Sequence, residues 1–116
     1  MSTRYLFLIY GDESGMADVT PAQWDEMMVA HQAWGEAVSA AGATIVGGEA
    51  LAPSATATTV RQNGSGPVVT DGPFAEVKEA LGGFYLVDCT DLDQALGFAK
   101  ALPASNVEVR PIIPTS

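Results

Sequence analysis

The sequence predicts one α+β domain built on a single antiparallel sheet, and three observations carry that expectation. The chain has 116 residues, 47% hydrophobic and 16% charged, which suits one packed core rather than two. Its apolar residues fall into two stripes at helical spacing and several short runs of strand type. With a glycine-rich hairpin in the middle set aside, these segments run in the order βαββαβ, the ferredoxin-like pattern.

Residues 5–10 read as the first strand, rich in aromatics and stopped by Gly11 and Asp12. Thr20 then opens a helix as its N-cap, with Pro21 at the first helical position and Gln23 completing a capping box. Trp24, Met27, Met28, His31, Trp34 and Val38 follow at helical spacing, and Gly42 ends the helix as a left-handed cap. Residues 44–49 read as a second strand. Residues 56–61 and 67–70 flank Asn63-Gly64-Ser65-Gly66, a hairpin whose loop looks longer than the tightest type. A turn-rich stretch from Asp71 to Gly83 leads into a strand at 84–87. Leu92, Ala95, Leu96 and Ala99 form the stripe of a second helix, capped by Thr90 or Asp91 and followed by Pro103. Residues 107–113 make the last strand.

A sheet with helices on one face and water on the other alternates apolar and polar residues. These strands do not. Tyr5, Phe7 and Ile9 point one way and Leu6, Leu8 and Tyr10 the other, and Phe84 and Leu86 oppose Tyr85 and Val87. A bare apolar face of that size exceeds what soluble monomers expose. A second copy related by a two-fold axis is the simplest cover, and a homodimer is expected. The rival cover is the segment from Ala52 to Gly83, folded back over the sheet.

The net charge is −9, with five Lys and Arg against fourteen acids. Phosphate backbones and anionic lipid surfaces need clustered cations, so neither nucleic acid nor a membrane surface is an expected partner. No run approaches the roughly 20 apolar residues of a membrane helix, and residues 6–10 are too short for a signal-peptide core. A lone cysteine, Cys89, forms no internal disulfide and suits a reducing cytoplasm, the expected location.

The stretch Val69-Thr70-Asp71-Gly72-Pro73-Phe74-Ala75-Glu76, continued by Lys78-Glu79, resembles the signature of the DGPF family, also called YCII-related proteins. Val77 stands where that motif usually has threonine. The similarity runs on through residues 81–86, 91–93 and 107–111, and upstream through 8–11, 47–51 and 55–61, so it spans nearly the whole of residues 1–116 as a single domain. The resemblance implies a dimeric α+β barrel, in agreement with the two-faced strands. It also implies an active-site pair of histidine and aspartate, and an association with sigma factors of the extracytoplasmic-function type. Neither association names a substrate, so a reaction inferred from the fold would be analogy only.

His31, the single histidine, lies on the stripe of the first helix at the spacing from Gly42 that the resembling histidine shows. It reads either as a general acid or base or as a packed imidazole with one hydrogen bond. Asp71 either orients His31 as the second member of a catalytic pair or forms an Asx turn with the amides that follow it. Arg61 and Arg110, on strands, either hold a small anionic ligand through its carboxylate or phosphate or pair with acids of the chain. Glu76, Lys78 and Glu79 read as a solvated loop face. Tyr10 and Glu49 read as strand ends, with a place on a pocket rim as the other reading. Cys89 reads as a small buried hydrophobe. No metal and no cofactor is expected, because one Cys and one His without ligand spacing do not make a zinc site.

Two functions follow from these residues. In one, the protein is a small-molecule enzyme of proton-transfer, lyase-like or hydrolase-like type, with His31 and Asp71 as its pair. In the other, it is a non-catalytic ligand-binding or regulatory module that docks onto a protein partner of a sigma-factor system. A purely structural dimer leaves the specific turn at Asp71 without a role.

Overall fold

A computed structural model describes residues 2–115, the side chain of Ala17 excepted. The fold is mixed α+β. Its strands are β1 (Thr3–Asp12), β2 (Thr44–Ala50), β3 (Thr58–Asn63), β4 (Gly66–Asp71), β5 (Glu79–Cys89) and β6 (Asn106–Pro111). Its helices are α1 (Pro21–Ala40) and α2 (Leu92–Ala101). Among the described residues, β2, β5, β1 and β6 lie side by side in that order as an open sheet, while β3 and β4 form a separate hairpin. Every pairing is antiparallel.

The helix ends follow local chemistry. Thr20 accepts from the Gln23 amide at 3.1 Å while the Gln23 side chain accepts from the Thr20 amide at 3.0 Å, the expected capping box. Gly42, at φ 88°, ends α1 in the left-handed region. Asp91 caps α2 by accepting from the Gln94 amide at 2.9 Å.

The core lies between the sheet and the helices. Tyr5 and Phe7 of β1 and Val87 and Cys89 of β5 meet Trp34 and Val38 of α1 and Ala95 of α2. Trp34 also donates its indole N–H to the Phe98 carbonyl at 2.9 Å, which ties the two helices together. Only Trp34 and Val38 of α1 are buried. Trp24 and Met28, near its start, each keep 39% of their surface exposed, so the expected apolar stripe enters the core only in its second half.

The opposite face of the sheet is apolar at its centre. Leu6 faces Leu86 and Leu8 faces Phe84 across the β1–β5 ladder, all half-buried. Charged pairs border them: Arg4 with Asp88 at 2.8 Å, and Arg110 with Glu108. The molecule measures 49 × 43 × 18 Å, and its radius of gyration of 16.4 Å exceeds the roughly 13 Å expected for a compact chain of this length. The short dimension leaves room for one sheet and one helix layer.

Strand ends shift, with β3 starting at Thr58 after a 3₁₀ turn at Ser54–Thr56 and β6 ending at Pro111, and three larger departures from the sequence expectation stand out. β5 is eleven residues long and takes in Gly82 and Gly83, which had read as part of a turn. Gly83 is there because a Cβ would come within 3.0 Å of the Glu49 carbonyl, so the glycine marks a close approach of two strands and not a break. The hairpin loop is the tight two-residue form, since Asn63 and Gly66 themselves pair and leave only Gly64 and Ser65 outside. A short 3₁₀ helix, Glu13–Asp18, follows β1 where no helix was expected.

Candidate functional site

A cavity of about 580 Å³ opens where the first half of α1 stands off the sheet. The end of β1, the 3₁₀ helix, the end of β2, the start of β5 and residues 103–105 complete its wall. The 3₁₀ helix is held in place through Glu13, whose carboxylate accepts from the Ser54 amide at 2.9 Å and the Ser54 hydroxyl at 2.8 Å. Trp24, Met16, Met27, Met28 and Leu51 make most of the lining apolar. Gly82 and Gly83 present bare backbone to it, at a bulge of β5 against β1.

His31 and Tyr85 supply the polar end. The His31 Nδ1 and the Tyr85 hydroxyl lie 2.8 Å apart, with the rings stacked at 6.0 Å between centroids. Tyr85 is held in turn by Trp34, 4.8 Å away between ring centroids. Burial holds the imidazole below its ordinary pKa of 6.5, and the Pro103 carbonyl opposes this by favouring the protonated ring. Near neutral pH the ring is therefore uncharged. With the ring proton on Nε2, Nδ1 accepts from the Tyr85 hydroxyl. Burial also raises the Tyr85 phenol, which stays protonated. A phenol donating to a neutral imidazole is a proton relay. A bound group can give a proton to the phenol oxygen as the phenol passes its own to Nδ1, which leaves an imidazolium and a neutral phenol.

Gly48 makes this pair sterically feasible. A Cβ there would lie 2.6 Å from Tyr85 Cδ1 and 2.7 Å from the Phe84 carbonyl oxygen. The carbonyl belongs to the paired strand and has little freedom to yield. Gly48→Ala is expected to cost about 1–3 kcal/mol, the usual range for overpacking, and to push the Tyr85 ring off His31. A lower melting temperature together with a changed imidazole proton NMR signal checks this; an unchanged imidazole signal would contradict it.

Of the residues singled out from sequence, His31, Tyr10 and Glu49 line the cavity, while Asp71, Arg61 and Arg110 do not. Asp71 is exposed at the end of β4 opposite Thr58, and the partner His31 has in its own chain is Tyr85. Gly72, at φ 99°, closes the hairpin base by donating to the Ala57 carbonyl at 2.7 Å. Arg61 donates to the Phe74 carbonyl at 2.6 Å and its guanidinium sits 4.4 Å from the Phe74 ring centre, which fastens the Asp71-Gly72-Pro73-Phe74 turn to β3. Arg110 is engaged by Glu108. Cys89 is buried, and burial with Asp88 and Asp91 nearby raises its thiol, so it stays a thiol. Sequence reasoning missed Tyr85. The available signal was its place on the same sheet face as Val87, the face turned towards the helix that carries His31.

The YCII-related domain model matches residues 3–116. The chain belongs to the YCII-related family. This YCII-related chain is also 49% identical over 67 residues to an uncharacterised protein of Rhizobium meliloti (strain 1021). That match covers 53% of the chain and 54% of the relative, so the chain spans about half the length of the curated relative it matches. Among the described residues, no helix is long and apolar enough to cross a membrane.

Proposed function

We propose that this YCII-related protein is a small-molecule enzyme of proton-transfer type, working as a homodimer, with the His31 cavity as its site. The observation that carries the reading is the 2.8 Å contact of His31 and Tyr85 in a largely apolar cavity that three acids also border. Such pockets with a few convergent polar groups are the usual build of small-ligand sites. In this reading Tyr85 takes the place beside His31 that sequence assigned to Asp71. Asp71 keeps a part only if the hairpin of a second copy carries it to His31.

The dimer reading rests on the open sheet face. The strand order β2-β5-β1-β6 supports a ferredoxin-like layer, and the half-buried Leu6, Leu8, Phe84 and Leu86 need cover. Two such faces packed about a two-fold axis would form the α+β barrel that the sequence resemblance implies.

The second reading is a non-catalytic ligand-binding or regulatory module with a protein partner, as in the sigma-factor association that the resemblance implies. It is favoured by the tied imidazole, whose Nδ1 is occupied by the Tyr85 hydroxyl and whose ring burial holds uncharged.

The test is a proton NMR titration of the single imidazole in wild type, Tyr85→Phe and Asp71→Asn. The expected result is titration below 6.5, altered by Tyr85→Phe and indifferent to Asp71→Asn. A pKa above 6.5 that falls in Asp71→Asn would return the pair to His31 and Asp71, joined across the two-fold axis. Indifference to both variants would leave His31 as packing and favour the non-catalytic module.

A further inference from the structure

We infer that the His31 cavity takes an apolar, ring-sized molecule that carries no negative charge, and that it discriminates against anions. This deepens the reading of the cavity as a small-molecule site and rests on it.

The argument begins with charge. The lining includes three acids, Asp12, Glu13 and Glu49, and neither lysine nor arginine. Asp12 is held ionised, since the Ser14 amide donates to it at 2.9 Å and keeps its carboxyl below the usual range. Lys78 stands close enough to Asp12 to assist in this but is not part of the wall. The two arginines that would suit an anion, Arg61 and Arg110, are engaged at Phe74 and Glu108. A carboxylate or phosphate entering the cavity would lose its water, meet like charge and find no cation, a combination that costs affinity. The whole chain, at −9, adds to the repulsion.

Shape and surface supply the rest. Met16, Met27 and Met28 are unbranched and polarisable, so they close around flat rings of varied outline. The Trp24 ring offers an aromatic face to a ring or to a cationic group. Gly82 and Gly83, at a bulge of β5 against β1, bring no side chains into the wall where a ring would lie. The phenol oxygen of Tyr85, its proton given to His31 Nδ1, is left to accept from one neutral donor, such as a hydroxyl.

The experiment compares three probes of one shape: naphthol, naphthylmethylamine and naphthoate. Each is titrated calorimetrically into the full-length protein at neutral pH, and the imidazole NMR signal of His31 locates the binding. Naphthol and the amine are expected to bind and shift that signal, with naphthoate at least about tenfold weaker, a difference of about 1.4 kcal/mol. Met28→Lys, which places a cation on a half-exposed part of the wall, is expected to raise the naphthoate affinity by about tenfold or more. Naphthoate binding as tightly as naphthol to the wild type would overturn the charge inference and leave the site reading intact. Failure of all three probes to move the His31 signal would overturn both.

Discussion

Truncating Trp34 to alanine is expected to cost about 3–5 kcal/mol, the range for removing a large aromatic from a packed core. The side chain is 5% exposed and stands where both helices meet the sheet. Its ring packs 6.2 Å from Phe7 and 4.8 Å from Tyr85 between centroids, and its indole N–H donates to the Phe98 carbonyl. Trp34→Ala removes all three contacts, while the Phe98 carbonyl keeps the Leu102 amide as a donor at 3.0 Å. Because total stability of a domain this size is commonly about 5–15 kcal/mol, the variant should sit near the edge of folding. The urea midpoint, followed by far-ultraviolet circular dichroism, measures the loss. Trp24→Ala is the matched control, since Trp24 keeps 39% of its surface in solvent. It should shift the midpoint far less while still altering the cavity. Equal losses from the two variants would mean that the first half of α1 is packed as tightly as the second.

Leu8→Glu is expected to convert the proposed dimer to monomers with the fold retained. Leu8 lies on the open sheet face, opposite Phe84 on one side and Glu108 on the other. A carboxylate there would be placed in the apolar centre of the proposed interface, beside an existing acid, and twice over, because a two-fold interface repeats every change. An uncompensated buried charge is among the costliest interface changes, so the dimer dissociation constant should rise by about a hundredfold or more, equivalent to about 2.7 kcal/mol. In the monomer the same side chain is only half-buried and can reach water, so the helical content should survive. Sedimentation velocity reads the mass, and Val29→Glu, on the exposed side of α1 at 65% exposure, controls for added charge alone. A wild-type monomer, or a Leu8→Glu variant that remains dimeric, would show that this face is covered in some other way.

The elements with strong local signals were legible in the sequence. Thr20, Pro21, Gln23 and Gly42 bound α1 through interactions within four residues, so the capping box and the left-handed cap are readable without tertiary information. The two apolar faces of β1 and β5 were equally plain, because strand alternation has a period of two. The glycines misled where their reason was long-range. Gly82-Gly83 looks like a turn in isolation, yet it lies inside β5 because Glu49, some thirty residues earlier in the chain, passes against it.

The candidate site divides in the same way. Residue type, helical spacing and the family resemblance selected His31, and strand ends suggested Tyr10 and Glu49 for a rim; all three line the cavity. The sequence alone determined the fold class, the two helices with their ends, the two-faced sheet and the acidic character that sets the charge of any ligand site. Only the tertiary structure decided that His31 meets Tyr85, at a sequence separation of 54, and that Asp71 stands on a hairpin outside the cavity of its own chain. The physical reason is that this meeting depends on the register of β5 between β1 and β2 and on the bare backbone at Gly48. Those are set by packing between distant segments, and no local pattern encodes them.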